Sequence, residues 1–208
     1  MGMIKFKASA LPLPSPEYDQ QYFFQLVRVL GIYFKQLDSD TPVESQFFKG
    51  LTTALNNPSA SYASAATQTV TAVSTGTAIT YDVTDFQNLV ELVSPANSQI
   101  RVQYDGVYNF QFSVQLDKDG SGSSKFWVWY RKNGVDAPLS TTEAVVDGNN
   151  DETFMALNYF VPMSAGDYFE LVFASDDATG RLAYFGVNGF RPAIPSVILT
   201  VNFVSVLP

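Results

Sequence analysis

The densest chemistry in this sequence is acidic. DKDGSG, residues 117–122, sets Asp117, Asp119 and Ser121 at alternate positions ahead of Gly122, which reproduces the first half of a twelve-residue calcium loop. Such a loop closes on a bidentate Glu at its twelfth position, and that position here is Val128, inside an alternating apolar run. Asp117, Asp119 and Ser121 are therefore a weak calcium candidate set against a solvated hairpin loop, and no metal or other cofactor is expected. A second group of carboxylates, Glu143, Asp147, Asp151, Glu152, Asp176 and Asp177, could supply an acid–base pair for glycoside hydrolysis. That chemistry needs one carboxyl raised by an apolar pocket, and all six stand in polar, loop-like stretches.

The other routes to catalysis are missing. The chain has no histidine and no cysteine, so it lacks the usual general base near neutral pH, a thiol nucleophile and zinc-type ligands. It contains no G-x-S-x-G elbow and no glycine-rich phosphate loop. We expect a protein that is not an enzyme. With 20 acidic against 12 basic residues and a net charge of −8, it has no cluster of Lys and Arg to replace phosphate counterions, so no nucleic-acid partner is expected. No run of 18 apolar residues spans a membrane, and the N-terminal stretch lacks the apolar run of a secretory leader.

Four segments would position these residues. Residues 1–14 form an extended arm broken by Pro12 and Pro14. A helix is predicted over 15–40, with Ser15 as cap, Pro16 in the first turn and Glu17 complementing the dipole. Its seam, Phe23, Leu26, Leu30, Tyr33 and Leu37, alternates spacings of three and four, and Tyr22, Val27, Val29 and Phe34 widen it. The pattern suits an amphipathic helix on its own domain, or else an anchor or short bundle; Gly31 inside it costs roughly 1 kcal/mol. Residues 41–66, rich in Ser, Thr and Ala, read as a spacer.

From residue 67 to 208 the pattern is that of strands. Runs such as VYNFQFSVQL, KFWVWYRK, ETFMALNYFVPM, DYFELVFAS and SVILTVNFVSV are punctuated by Gly, Asn, Asp and Pro, with Asn133-Gly134 the clearest hairpin turn. With 17 Phe, 11 Tyr and 2 Trp, the composition also favours strands. The expected fold is mainly β, an antiparallel sandwich of about ten strands preceded by one α-helix. Some strands are apolar on both faces: in KFWVWYRK, Phe126, Val128 and Tyr130 face one way, and Trp127 and Trp129 the other. A two-layer sandwich has one interior, so the second face of such a strand needs a cover, and a neighbouring subunit is the economical one.

GVYNFQF, residues 106–112, resembles the G-x-Y-x-F-x-F signature of the jelly-roll heads of the tumour necrosis factor and complement first-component superfamily. Asn88 matches an upstream position, whereas Ile100, Val93 and Asp82 replace aromatics of the pattern, with Tyr81 adjacent. Downstream, YRKNG and SAGDYFELVF are similar to further strand–turn elements, so the resemblance spans about residues 67–208. It implies a jelly-roll head forming homotrimers, with Tyr108, Phe110 and Phe112 divided between the sandwich interior and a three-fold axis, and Trp127 and Trp129 packing in trimer or core. LPLPSPEYDQQYFFQLVRVLGIYFKQLDS, residues 11–39, resembles an N-terminal segment of tailed-bacteriophage virion proteins. Together the resemblances imply a structural protein on the virion surface. It would be a capsid decoration or cement protein whose partners are itself, the major capsid protein and other virion subunits. The alternatives are a short tail fibre or receptor-binding knob with the same head and, more remotely, a free ligand-binding module.

Overall fold

The computed structural model describes residues 20–37, 57–148 and 151–207. The expected arm, the helix ends at 15–19 and 38–40, and the spacer up to residue 56 lie outside the described residues. The chain divides into two compact units, Met1–Ala54 and Leu55–Pro208.

In the first unit, helix α1 runs from Gln20 to Leu37. Gln21, Gln25, Arg28 and Lys35 fall on one side, and Phe23, Leu26, Val27, Leu30 and Phe34 on the other, the 3.6-residue period of an amphipathic helix. Lys35 in the last turn complements the helix dipole. Of the expected seam, Phe23 and Leu30 are exposed and Leu26 is half-buried, while the side chains of Tyr33 and Leu37 lie outside the description.

The second unit is a sandwich of two antiparallel sheets. The first contains β1 (Ser59–Ser64), β2 (Gln68–Thr69), β4 (Val83–Asn88), β7 (Gly106–Asp117), β11 (Glu152–Met163), β13 (Arg181–Leu182) and β14 (Val197–Ser205). The second contains β3 (Thr77–Ala78), β5 (Val90–Leu92), β6 (Ile100–Val102), β8 (Ser123–Lys132), β9 (Val135–Asp136), β10 (Thr142–Asp147) and β12 (Tyr168–Ser175). In the first sheet the long strands lie in the order β4–β1–β14–β7–β11, and β13 and β2 continue beside the far end of β7. The second runs β10–β8–β12–β6–β5, with β3 against β12 and β9 against β8. The chain passes repeatedly from one sheet to the other: β1, β7, β11 and β14 alternate with β6, β8, β12 and their neighbours. This crossing is jelly-roll-like.

Aromatics hold the layers together. Tyr108, Phe110, Phe112, Val114 and Leu116 all point inward from β7, because residues two apart share one face of a strand. Phe110 stacks on Phe169 of β12 with centroids 3.9 Å apart and planes 6° from parallel. Phe169 meets Tyr130 at 5.3 Å, Tyr130 meets Tyr159 of β11 at 4.8 Å, and Tyr159 meets Phe112 at 5.8 Å. The contacts therefore leave β7, cross to the second sheet and return. Each side chain buried this way contributes about 1.5–3 kcal/mol. Of the expected places for Tyr108, Phe110 and Phe112, trimer or core, the sandwich interior takes all three.

Two further corrections follow from small or exposed strands. The spacer expected over 41–66 ends by Ser59, where SASYAS forms β1 between β14 and β4 and buries Ala60, Tyr62 and Ser64. Small residues hid the two-residue period, and they suit a strand flanked closely on both sides. TDFQN, residues 84–88, lies outside every expected strand, yet with Val83 it forms the edge strand β4, whose side chains are mostly exposed and so carry no apolar alternation.

Local signals at turns held. Asn133 and Gly134 take φ of 51° and 78° between β8 and β9, the two-residue hairpin geometry that twists with its strands. Gly106 opens the G-x-Y-x-F-x-F run because a Cβ there would collide with the ring of Phe203 and lie 2.8 Å from the Ser205 carbonyl oxygen.

Candidate functional site

The DKDGSG loop is closed by an arginine. Arg181 Nε donates to Asp117 Oδ2 at 2.6 Å, and its terminal nitrogens donate to both oxygens of Asp119 at 2.6 and 2.8 Å. Lys118 is buried, with its ammonium donating to the Gly122 carbonyl. Two cations thus occupy the neighbourhood that a calcium ion would need. The hydrogen bond from Arg181 holds Asp119 below its ordinary range. Ser121 sits at the exposed tip. The calcium candidate is replaced by an internal ion-pair clasp.

Five of the six carboxylates weighed for hydrolysis are likewise engaged. Glu143 accepts from Lys125 Nζ at 3.0 Å and from the Trp127 indole at 2.8 Å, and both bonds lower its pKa, that from Lys125 the more. Asp147 accepts from the Ser123 hydroxyl at 2.6 Å, and Asp176 from the Lys125 amide at 2.7 Å. Asp177 accepts from the Thr179 amide at 2.8 Å and the Ser124 hydroxyl at 3.0 Å, and the Thr179 bond leads in lowering it. Asp151 accepts from the Glu152 amide at 3.1 Å. These groups are held as hydrogen-bond acceptors, and none converges on an apolar pocket of the kind that raises a general acid.

The two outer faces of the sandwich differ in kind. On the first sheet, β1, β7, β11 and β14 carry no charged residue except Asp117 and Glu152 at the strand ends. Their register aligns short polar and amide side chains in rows: Asn158, Gln111, Thr200 and Ser61 form one, and Asn109, Asn202 and Ser59 another. Asn158 Nδ2 donates to Asn109 Oδ1 at 3.4 Å across such a row. Phe154 and Phe160 stand out from β11, both more than half exposed, and β11 pairs with β7 alone among the described strands.

On the second sheet, charges and tryptophans share the face. Trp127 and Trp129 point outward from β8 between the pairs Lys125–Glu143 (3.0 Å) and Arg131–Asp136 (2.6 Å). The Trp129 indole donates to Asp136 Oδ1 at 2.7 Å. That bond and the one from Arg131 lower Asp136. The chain covers part of this face itself: β3 pairs with β12, and a Cβ on Gly76 would lie 2.7 Å from Cζ2 of Trp129. The cover expected from a neighbouring subunit is thus supplied in part from within. Beyond this, a loop bridged at Phe185–Ile194 and Asn188–Arg191 displays Val187 and Phe190, the latter 86% exposed.

Sequence reasoning picked out Trp127 and Trp129 by their alternation. It missed Arg181, Gly76, Asp136 and the charge-free face; only the last, a lack of charge over four strands, was visible in the sequence. Compared with known proteins, the chain matches no family model, and no curated protein is significantly similar to it.

Proposed function

We propose that the chain is a non-enzymatic structural protein of a bacteriophage virion, a homotrimeric decoration or cement protein on the capsid surface. In this reading the jelly-roll head is the trimer, and the N-terminal arm and helix dock on the major capsid protein. The observation that carries self-association is the charge-free face of β1, β14, β7 and β11. Interface cores are depleted in charge, because a charge buried there must be desolvated. Phe154 and Phe160 supply aromatic anchors beside it. The anchoring role is supported by α1, whose Val27 and Phe34 are 62% and 60% exposed, an apolar face that water does not favour. The virion setting rests on the resemblance of residues 11–39.

Sedimentation of the full chain at micromolar concentration should give a trimer, and a stable monomer overturns the reading. Labelled micrographs of intact particles should place it on the capsid. Replacing Leu26 and Leu30 together by Asp should remove it from particles while the head still melts cooperatively; normal incorporation would mean that the helix is not the anchor. The second reading, a receptor-binding knob on the tail, is favoured by the projecting Val187 and Phe190 and predicts label at the tail.

A further inference from the structure

We propose that the outer face of the second sheet carries a saccharide-binding cleft built on Trp127 and Trp129, which takes a neutral, hydroxyl-rich ligand such as the exposed sugars of a glycan. This inference concerns the head alone and does not depend on where the protein sits. The cleft has a volume of about 340 Å³ and is lined by Ser74, Trp127, Trp129, Asp136, Thr141 and Ala174 among others. That is the lower end of the size range for small-ligand pockets, roughly 300–1,000 Å³. The two indoles stand two residues apart on one strand, about 6.6 Å along it, on the scale of one sugar ring. Indole faces are electron-rich, and the C–H bonds on the flat side of a pyranose, polarised by neighbouring oxygens, pack favourably on them.

Charge decides the class of ligand. Two carboxylates and two cations surround the tryptophans, and they are already paired, Glu143 with Lys125 and Asp136 with Arg131. A cationic ligand would find both carboxylates already neutralised, and an anion would find both cations already paired. A neutral ligand that both donates and accepts hydrogen bonds meets neither obstacle. Asp136 takes the Trp129 and Arg131 bonds on Oδ1, which leaves Oδ2 as the oxygen able to accept from a ligand hydroxyl. The hydroxyls of Ser74 and Thr141 add groups that can serve either way.

The aromatic wall is set before any ligand arrives. Asp136 holds the nitrogen edge of Trp129 while Gly76 lies against its benzo ring, and Glu143 holds the nitrogen edge of Trp127. Fixing both rings in advance lowers the ordering cost of binding. No side chain larger than a hydrogen fits at residue 76 unless Trp129 shifts.

Trp127 and Trp129 are the only tryptophans in the chain, so tryptophan emission reads this cleft alone. The full chain is titrated with neutral oligosaccharides of glucose, galactose, mannose and N-acetylglucosamine, and in parallel with tetramethylammonium and with inorganic phosphate. At least one oligosaccharide should shift the emission saturably. Trp127→Ala should weaken that binding about tenfold or more, with the melting temperature little changed. Gly76→Ala should weaken it too, by displacing Trp129. The proposal fails if no oligosaccharide shifts the emission, if tetramethylammonium or phosphate saturates the response where sugars do not, or if Trp127→Ala binds as tightly as the parent.

Discussion

The two outer faces of this sandwich rest on one aromatic core, yet they follow opposite rules. The first sheet presents rows of Asn, Gln, Ser and Thr on β1, β14, β7 and β11, with charge only at the ends of those strands and on the bordering β4, where Asp85 accepts from the Ser61 hydroxyl at 2.8 Å. The second presents the ion pairs Glu91–Arg101, Lys125–Glu143 and Arg131–Asp136. Taking ion pairs out of water costs more than their attraction readily returns, whereas short uncharged polar side chains can be dried at lower cost and can bond to a copy of themselves. A face built as the first is suits permanent burial. One built as the second is suits contact that stays partly wet.

Adjacent residues on β7 separate the core from the face. Phe110 points inward onto Phe169, and Phe110→Ala should cost about 3–5 kcal/mol of fold stability, read from chemical denaturation. Gln111 points outward from the middle of the uncharged face. Gln111→Glu should leave the fold of the head intact but dissociate the proposed trimer, since one unpaired charge buried in an interface costs about 3–5 kcal/mol. Val145→Glu on β10 of the second sheet is the control and should sediment as the parent does. A Gln111→Glu variant that self-associates as the parent does would move the proposed interface elsewhere and remove the contrast between the faces.

The core was more legible in the sequence than the faces were. β7, β8, β11, β12 and β14 announce themselves because large apolar residues recur every second position over eight or more residues. β1 and β4 do not, one being built of Ser and Ala and the other standing exposed at an edge. The acidic loop shows why a local motif misleads: DKDGSG looks like a ligand set until Arg181, 64 residues after Asp117, fills it. The tryptophan cleft is similar. Alternation places Trp127 and Trp129 on the outside, but their partners Glu143, Asp136 and Gly76 arrive from other segments of the chain, which one-dimensional spacing does not report.

Acid should next separate the uncharged face from the ion pair that links the two sheets at one end, where Lys132 of β8 bonds both Asp167 and the Pro162 carbonyl of β11. Burial pushes Asp167 up, but hydrogen bonds from Lys132, Asn133 and the Ser164 amide outweigh it and hold the group at about 2. A carboxyl lowered by folding stabilises the protein above its ordinary value, near 3.8, and that contribution is lost as the pH falls through about 2. The head should therefore lose stability between pH 4 and 2. Asp167→Asn should flatten this loss and cost about 1–2 kcal/mol at neutral pH, read from urea midpoints across the acid range. The uncharged face has nothing to titrate there, so Gln111→Asn should leave the acid profile unchanged. An acid profile in Asp167→Asn identical to the parent's would show that the head draws no stability from the Lys132–Asp167 pair.

The smallest effect tests whether the interior is as shared and settled as the contrast between its faces assumes. Tyr62 and Tyr81 are both buried, with ring centroids 6.0 Å apart. The Tyr62 hydroxyl donates towards Gln87 Oε1 and the Val90 carbonyl, each at 3.3 Å, whereas the Tyr81 hydroxyl has no hydrogen-bond partner among the described residues. A hydroxyl buried without a bond costs about 1–3 kcal/mol of desolvation, and removing it relieves that cost apart from the small void left behind. Tyr81→Phe should therefore be neutral or stabilise the head by up to about 1 kcal/mol, while Tyr62→Phe should destabilise it by about 0.5–1.5 kcal/mol. Two neighbouring rings with the same substitution should thus give effects that differ in sign or at least in size. Melting curves of both variants decide it. If Tyr81→Phe costs as much as Tyr62→Phe, the Tyr81 hydroxyl finds a partner in the assembled protein, and the interior is not complete within one chain.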